Sequence, residues 1–177
     1  MLGKAKSIIY TLLLKINHPS INTKGLSTIL PSTEIIIRNR GTITIGRDVS
    51  TQRRVTLSSV GGHIKVGNNV SFNRNVIIVC HESIFIGDNC ILGPNVLIYD
   101  HDHKFDFHDI SRDTFNTSPV IIDRNCWIGA NVIILKGTHI GEGCIIGAGT
   151  VLQGDIPAHT IVKCVRELDI QALEKKN

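Results

Sequence analysis

The chain has 177 residues, which is enough for one domain with a substantial core and short for two. Its formal net charge of +4 comes from scattered basic residues, which excludes a typical nucleic-acid-binding surface and is compatible with a small anionic ligand. Aromatic residues make up only 5%, which favours a narrow core built from Ile, Val and Leu.

Residues 1–20 differ in composition from the rest and predict an amphipathic helix. Apolar residues fall at helical spacing among lysines: Ile8, Ile9, Leu12, Leu13 and Ile16, with Lys4, Lys6 and Lys15. The apolar run is too short to span a bilayer and lacks a signal-peptide cleavage site. Two interpretations remain open: the helix packs on the end of the domain or on a neighbouring subunit, or it rests on a membrane surface.

Residues 21–164 are dominated by a period of six, which is clearest from 122 to 156. Large aliphatic residues recur every sixth position: Ile122, Ile128, Ile134, Ile140, Ile146 and Leu152. Small or β-branched residues follow four positions later: Cys126, Val132, Thr138, Cys144, Thr150 and Ile156. This period matches neither a strand nor a helix, and it is typical of a β-helix whose short strands alternate with tight turns.

The same phase occurs earlier in the chain. Its sets are Ile45, Thr51 and Leu57; Val66, Phe72 and Ile78; and Ile86, Leu92 and Ile98. Three sixes make one turn of a three-sided prism, and slips of two or three residues between sets predict bulges at its corners. An antiparallel β-protein would instead give a drifting phase. We expect residues 21–44 to form irregular strands that enter the prism.

Residues 99–119 break the period and predict a protruding loop. Ile98 and Ile122 are four sixes apart, so the coil resumes in phase. The loop is rich in His and Asp: His101, His103, His108, Asp100, Asp102, Asp106 and Asp109. Metal binding through His101 and His103, general-base catalysis and sugar recognition are all open. Because no further Cys/His pair has ligand spacing, we expect no metal.

The five cysteines and the C-terminal residues complete the pattern. Cys80, Cys90, Cys126, Cys144 and Cys164 form no CxxC motif, and three of them occupy inward positions. This indicates buried thiols in a reducing compartment, hence a cytoplasmic protein. Residues 165–177 are predicted to form a short helix that caps the last coil, whose strand edges would otherwise be exposed.

Residues 65–166 resemble the left-handed β-helix, hexapeptide-repeat acyltransferases, and most closely their maltose/galactoside O-acetyltransferase branch, which includes enzymes that acetylate capsule or lipopolysaccharide sugars. The resemblance rests on three segments: IGDNCILGPNVLIYDHDH (86–103), NCWIGANVII (125–134) and IIGAGTVLQGDIP (145–157). It implies an all-β left-handed parallel β-helix, a homotrimer with active sites between subunits, and acetyl-CoA as acyl donor.

The resemblance also implies roles for single residues. His103 matches the catalytic base, which would deprotonate a sugar hydroxyl for attack on the thioester of acetyl-CoA, with His101 as the neighbouring alternative. The backbone N–H of Ala130 would stabilise the oxyanion. Trp127 would lie beside the cofactor arm and the acceptor, and Asn73 would hold the acceptor near the base.

For the cofactor, the resemblance implies that the backbone of Ala148 binds the pantetheine arm. Lys163 and Arg166 fall where the family places cations for the CoA phosphate. The chain departs from the family pattern here, because Gln153 and Gly154 precede Asp155 and the usual GxP is missing.

For the acceptor, His81 stands where family members usually carry an Asp, which puts galactoside-like acceptors in doubt. His81 and His101 are candidate acceptor contacts. The group that orients His103 is left open among Asp102, Asp106 and Glu82.

Together these features predict an acetyl-CoA-dependent O-acetyltransferase that acts on a sugar hydroxyl by direct transfer, in surface polysaccharide or lipopolysaccharide biosynthesis. If residues 1–20 bind lipid, it would work at the inner face of the membrane. N-acetylation of an amino sugar is one alternative, and a non-catalytic β-helix scaffold is another. The His-rich loop followed by Trp127 argues against the scaffold.

Overall fold

The computed structural model describes residues 9–11, 13–14 and 20–165. In chain order the strands are β1 (Ile21–Thr23), β2 (Glu34–Arg38), β3 (Thr42–Ile45), β4 (Ser50–Thr51), β5 (Thr56–Val60), β6 (His63–Val66), β7 (Ser71–Phe72), β8 (Ile77–Cys80), β9 (Ser83–Ile86), β10 (Ile91–Leu92), β11 (Leu97–Tyr99), β12 (His101–Phe105), β13 (Ile110–Thr117), β14 (Val120–Ile122), β15 (Trp127–Ile128), β16 (Ile133–Ile134), β17 (His139–Ile140), β18 (Ile145–Ile146), β19 (Val151–Leu152), β20 (Asp155–Ile156) and β21 (Ile161–Val162).

Three parallel sheets form the walls of a prism. The first face contains β1, β3, β6, β9, β14, β17 and β20; the second contains β4, β7, β10, β15, β18 and β21; the third contains β2, β5, β8, β11, β16 and β19. Successive strands of the chain pass from the first face to the second, then to the third, and back to the first one coil later. The molecule is therefore a three-sided parallel β-helix, which confirms the predicted architecture.

The six-residue period is the sequence separation between buried aliphatic residues on successive faces of the prism. Ile122, Ile128 and Ile134 come from the first, second and third faces in turn, and each is fully buried. The smaller residues between them, such as Cys126 and Val132, are also buried and fill the corners. Each large aliphatic side chain so placed contributes about 1.5–3 kcal/mol by burial, which makes the stacked core the main source of stability.

Asparagine ladders support the corners. At the corner between the second and third faces, Asn75, Asn95 and Asn131 have φ values of 58°, 58° and 56°. Their side-chain amides bond one to the next at 2.9 and 3.0 Å. Asparagine tolerates this left-handed conformation better than most residues, so one side chain both permits the turn and links successive coils.

The predicted phase slips all lie at the corner between the third and first faces. Gly61 and Gly62 occupy it in one coil, and His81 and Glu82 in the next. The long insertion lies at the same corner of the following coil. The expectation for residues 21–44 was incomplete, because β2 already pairs with β5 over five residues and belongs to the wall.

The insertion is an ordered antiparallel hairpin of β12 and β13 and not an irregular loop. It begins after Tyr99, which still pairs with Val79 in the third face. Phe105, Phe107 and Ile110, near its tip, are exposed. Cross-strand hydrogen bonding explains the difference, because a polar segment can form a hairpin without contributing to the hexapeptide core.

The described part of the N-terminal helix packs on the first coil. Leu14 is buried, and the Thr11 hydroxyl donates to the carbonyl oxygen of Ser27 at 3.0 Å. The Tyr10 hydroxyl donates to the carbonyl oxygen of Thr33 at 3.4 Å. The remainder of the predicted helix and the predicted C-terminal helix after Val165 lie outside the described residues. No helix among the described residues is long and apolar enough to cross a membrane.

Candidate active site

A groove runs along the corner between the second and third faces. It has a volume of about 480 Å³ and is lined by Asn73, Ile91, Gly93, Pro94, Trp127, Gly129, Ala130, Ile145, Ile146, Gly147 and Ala148. These residues belong to four successive coils, so the groove follows the axis of the prism. Asn73, Trp127, Ala130 and Ala148, which were predicted from separate segments, all lie in it.

Glycine is required where the turns of this corner stack. A Cβ atom on Gly93 would lie 2.8 Å from the nitrogen of Ala130, and one on Gly129 would lie 2.7 Å from the nitrogen of Ala148. The amide groups of Ala130 and Ala148 donate no backbone hydrogen bond within the described part of the chain. The stacked turns therefore present a row of N–H donors to a ligand in the groove.

An apolar stripe forms one side of the groove. Ile91 pairs with Trp127, and Trp127 pairs with Ile145, in the second face. All three side chains point outward, and Trp127 remains 54% exposed. A row of exposed apolar side chains beside a row of N–H donors is typical of a binding surface for an extended, partly apolar ligand.

The two ends of the groove differ. Asn73 lies at one end, where its side-chain oxygen accepts the N–H of Arg74 at 2.8 Å and stabilises the turn. Lys163 lies at the other end, exposed, with its Cα 3.5 Å from a Cβ built on Gly147. Arg166, the second predicted phosphate ligand, lies outside the described residues.

Asp100 anchors the base of the hairpin. Its fully buried carboxylate accepts the backbone N–H groups of His81, Glu82 and Ser83 at 2.8, 2.7 and 2.9 Å and lies 3.1 Å from Nδ1 of His101. Burial by itself raises the pKa of Asp100, but the hydrogen bonds from His101 and these amides hold the pKa below its ordinary value. In the sequence, Asp100 is only one acid of a polar loop. Its position as the first residue of the insertion was the available signal.

His103 lies on β12 with its side chain exposed. Its Nδ1 is 2.9 Å from the carbonyl oxygen of Ser111 on β13. A carbonyl only accepts, so Nδ1 carries the hydrogen and the neutral ring keeps a lone pair on Nε2. His101 has the same tautomer, because Nδ1 donates to Asp100. Nε2 of each ring is therefore a hydrogen-bond acceptor.

None of the three acids proposed to orient His103 does so. Asp102 pairs with Lys136 at 3.4 Å, and Asp106 accepts the N–H groups of His108 and Asp109 in the hairpin tip. Among the described residues, the Glu82 carboxylate makes no hydrogen bond or ion pair with His103, whose Nδ1 bonds to Ser111. The sequence left this group open, and in the structure the partner of Nδ1 is a main-chain carbonyl on the opposite strand, which no side-chain pattern encodes.

The imidazole rings of the hairpin base form one cluster. His81 lies 4.1 Å from His101 and 4.1 Å from Phe115 between ring centroids, and His103 lies 4.8 Å from Phe115. Burial and the proximity of His101 lower the pKa of His81. His81 is therefore neutral at pH 7 and supplies no negative charge where the resemblance would place an Asp.

The structure separates this cluster from the groove. The hairpin leaves the corner between the third and first faces, whereas the groove follows the corner between the second and third faces. His103 and Ala130 thus lie at opposite edges of the third face of one chain. Among the described residues, no group of three or more His, Cys, Asp or Glu side chains is arranged to hold a metal ion.

Comparison with known proteins identifies the family. Residues 119–153 match the hexapeptide repeat of succinyl-transferase. WbbJ of Escherichia coli K12, provisionally named a lipopolysaccharide biosynthesis O-acetyltransferase, is 35% identical over 136 residues, which are 71% of this chain and 69% of WbbJ. The galactoside O-acetyltransferase of the same organism is 34% identical over 117 residues, 63% of this chain and 57% of that enzyme.

The chain therefore belongs to the hexapeptide-repeat acyltransferases. Within that family its relatives carry the names of acetyltransferases, and it spans between half and about two thirds of the length of several of them.

Solved structures share the fold at low identity. A variant of AntD, an N-acyltransferase of Bacillus cereus in complex with dTDP-4-amino-4,6-dideoxyglucose and coenzyme A, matches with a TM-score of 0.71 at 22% identity, over 93% of this chain and 89% of that one. The Vibrio cholerae acetyltransferase VCA0836, in complex with acetyl-CoA, matches with a TM-score of 0.57 at 22% identity, over 86% and 69%.

Proposed function

We propose that this protein transfers the acetyl group of acetyl-CoA to a hydroxyl of a sugar. The groove between the second and third faces is the observation that carries the proposal. Its apolar stripe suits the alkyl parts of a pantetheine arm, and its N–H donors at Ala130 and Ala148 suit the amide carbonyls and the thioester. Lys163 then marks the phosphate end of the cofactor.

In the proposed reaction, Nε2 of His103 removes the proton of the acceptor hydroxyl as its oxygen attacks the thioester carbonyl. The Ala130 N–H donates to the resulting oxyanion. Collapse of the intermediate breaks the C–S bond, and the thiolate of CoA leaves and takes a proton. The products are the acetylated sugar and CoA.

His103 and the groove lie at opposite edges of one chain, so the proposal requires a second chain. In a closed ring of three prisms, the hairpin of each subunit reaches the groove of its neighbour. We therefore propose a homotrimer with three active sites between subunits. The outward-reaching hairpin and the exposed groove support this arrangement.

Replacement of His103 by Ala tests the assignment of the base. We expect kcat for acetyl transfer to fall about 10²–10⁴-fold, the usual contribution of a general base, with the affinity for acetyl-CoA unchanged. His108→Ala, in the tip of the same hairpin, is the matched control and should retain activity. A loss below tenfold for His103→Ala, with a large loss for His101→Ala, would assign the base to His101 instead.

N-acetylation of an amino sugar is the second candidate, supported by the fold shared with AntD, whose complex contains an amino sugar nucleotide. Mass spectrometry after incubation with a panel of sugar acceptors identifies the product. Alkaline hydroxylamine then removes an O-acetyl group and leaves an N-acetyl group in place. An acetyl mark that resists hydroxylamine would refute O-acetylation.

A membrane-bound acceptor is a further part of the proposal, motivated by the lysines and apolar residues of 1–20. Flotation with liposomes that contain anionic lipid should recover the full chain, and deletion of residues 1–20 should abolish recovery. Equal flotation of both proteins would remove this role.

A further inference from the structure

The groove does not end at Asn73. The corner between the second and third faces continues toward the start of the chain and carries three arginines there: Arg74 in the same coil as Asn73, and Arg53 and Arg54 in the coil before it. Arg53, Arg54 and Arg74, with Ser32 and Asn75, line a second pocket of about 390 Å³. Since Asn73 directly precedes Arg74, the pocket adjoins the end of the groove opposite to Lys163.

The arginines are confined to one end of this corner. The positions that match Arg53 and Arg74 in the next coils hold Pro94, Ala130 and Ala148. The charge of the corner thus changes from neutral along the groove to strongly positive in the pocket. The coils do not require arginines at this corner in order to stack, because the later coils stack without them.

Arg54 has an unfavourable backbone conformation for an arginine. Its φ is 60°, and the equivalent residues of later coils with the same left-handed φ are Asn75, Asn95, Asn131 and Gly149. Asparagine and glycine adopt this conformation readily, whereas a long side chain rarely does. An arginine at this position therefore costs stability relative to asparagine or glycine.

Within the described part of the chain, no acidic side chain forms an ion pair with any of the three guanidinium groups. The ion pairs found among residues 20–165 involve Asp100, Asp102, Asp123 and Glu142, and none includes Arg53, Arg54 or Arg74. Glu34, on β2, accepts the hydroxyl of Thr56 at 3.2 Å. Three adjacent uncompensated cations in a concave surface attract a ligand with several negative charges.

We propose that Arg53, Arg54 and Arg74 bind the diphosphate of the acceptor, which is a sugar joined through pyrophosphate to a carrier. This inference rests on the proposed acetyl transfer. Guanidinium groups pair with phosphate oxygens through two parallel hydrogen bonds, and a diphosphate matches three cations better than the single carboxylate of an acidic sugar does. The carrier is either a nucleoside or a polyprenyl lipid, since both present the same diphosphate.

The arrangement gives each substrate its own end of one corner. The phosphates of CoA lie near Lys163, the diphosphate of the acceptor lies at the arginines, and the sugar extends from the diphosphate past Asn73 toward the thioester. Two anionic substrates are thereby held apart while their reacting groups meet in the groove.

Direct binding tests the proposal without acetyl transfer. Inorganic pyrophosphate, dTDP and geranyl diphosphate are titrated calorimetrically into the full chain and into the triple variant R53Q/R54Q/R74Q. We expect at least one probe to bind the unmodified protein, and the triple variant to bind it at least about tenfold more weakly, as loss of charge-assisted hydrogen bonds implies. Preference for dTDP indicates a nucleotide carrier, and preference for geranyl diphosphate indicates a lipid carrier.

Arg40→Gln is the matched control. Arg40 is exposed at the corner between the third and first faces with a φ of 62°, so it shares the charge and backbone of Arg54 away from the pocket. Its replacement should leave binding of the probes unchanged. Absence of binding by the unmodified protein, equal binding by the triple variant, or loss of CoA affinity in place of probe affinity would overturn the proposal.

Arg54→Asn separates a binding role from a structural one. Asparagine relieves the left-handed backbone, so the thermal unfolding midpoint should stay the same or rise while the affinity for the probe falls. A fall in both would show that Arg54 supports the coil. If the protein binds the probes through the arginines but transfers no acetyl group, the result counts against the proposed activity. If it transfers acetyl groups but does not bind the probes through the arginines, the result counts against the arginine pocket alone.

Discussion

At the scale of single residues, the structure separates positions that hold the fold from positions that present chemistry. Asp100 is the clearest structural residue outside the aliphatic core, because its buried carboxylate accepts three main-chain amides of the preceding coil. Gly93 and Gly129 are the clearest at the groove, because any side chain there would meet the backbone of the next coil.

Asp100 makes stability depend on pH. Its pKa lies below the ordinary value of 3.8, so the unfolded chain binds a proton at a higher pH than the folded one. Its contribution is complete above about pH 5 and is lost as the pH falls through the folded pKa. His81 also makes the folded state less stable as the pH falls, because its pKa is lower in the folded chain than its ordinary value of 6.5. This loss begins near pH 6.5.

Asp100→Asn should therefore lower the free energy of unfolding at pH 7 by about 2–4 kcal/mol, because one charged acceptor of several buried N–H groups is lost. The decline of stability with acid should also become shallower in the variant. Urea unfolding at pH 7, 5 and 4 measures both effects. Equal stability of the two proteins at pH 7 would contradict the anchoring role.

Gly129→Ala tests whether the groove binds acetyl-CoA. The added methyl group would lie 2.7 Å from the nitrogen of Ala148, so the turns must separate and the row of donors is displaced. We expect a stability loss of about 1–3 kcal/mol and at least about a tenfold rise in KM for acetyl-CoA. Steady-state kinetics over a range of acetyl-CoA concentrations measures the second effect.

Gly87→Ala is the control for this substitution. Gly87 stacks in the same way at the corner between the first and second faces, where a Cβ would lie 2.5 Å from the nitrogen of Arg124. It should lose stability without a selective change in KM. An equal rise in KM for both variants would show that the effect is not local to the groove.

At the scale of elements, the hairpin is an addition to a coil that does not need it. The preceding coil closes the same corner with His81 and Glu82 alone, and Asp100 occupies the position that matches Cys80. The hairpin contributes little to the aliphatic core, since its side chains are largely exposed.

Replacement of residues 101–118 by two glycines should therefore give a folded protein without activity. We expect the thermal unfolding midpoint to remain within about 5 °C of the unmodified protein, because the buried aliphatic positions are retained. Acetyl transfer should fall to the level of His103→Ala. Retention of transfer by the shortened protein would remove the hairpin from the mechanism.

The walls could be predicted from sequence because one repeated rule determines them. An inward-pointing aliphatic residue at every sixth position determines where each strand and turn lies and which strands pair in adjacent coils. Ile98 and Ile122 keep this phase across the insertion. The hairpin could not be predicted in the same way. Its register depends on cross-strand hydrogen bonds, so the contact between His103 and Ser111 has no counterpart in the repeat.

The groove was predictable only through resemblance. Nothing in the composition of Trp127, Ala130 or Ala148 marks a site, and their convergence depends on two successive coils stacking in register. The arginine pocket was missed for a related reason, because Arg53 and Arg74 are 21 positions apart in the chain and become neighbours only when their coils stack.

At the scale of the whole molecule, the proposed activity depends on one relation between subunits. The proposed base, His103, lies at one edge of the third face and the proposed oxyanion donor, Ala130, at the other, so a single chain would carry two half-sites. A trimer of the 19.4 kDa chain would join them at each interface.

Mixed trimers test this relation most directly. Chains with His103→Ala and chains with Gly129→Ala are coexpressed with different tags, and trimers that contain both are purified by two affinity steps. If His103 of one subunit acts on the groove of the next, each trimer that contains both chains has one interface of three with two intact halves, so the purified mixed trimers should regain about a third of wild-type kcat/KM per chain. Activity no higher than the mean of the two parent variants, in trimers whose mass confirms both chains, would contradict the account.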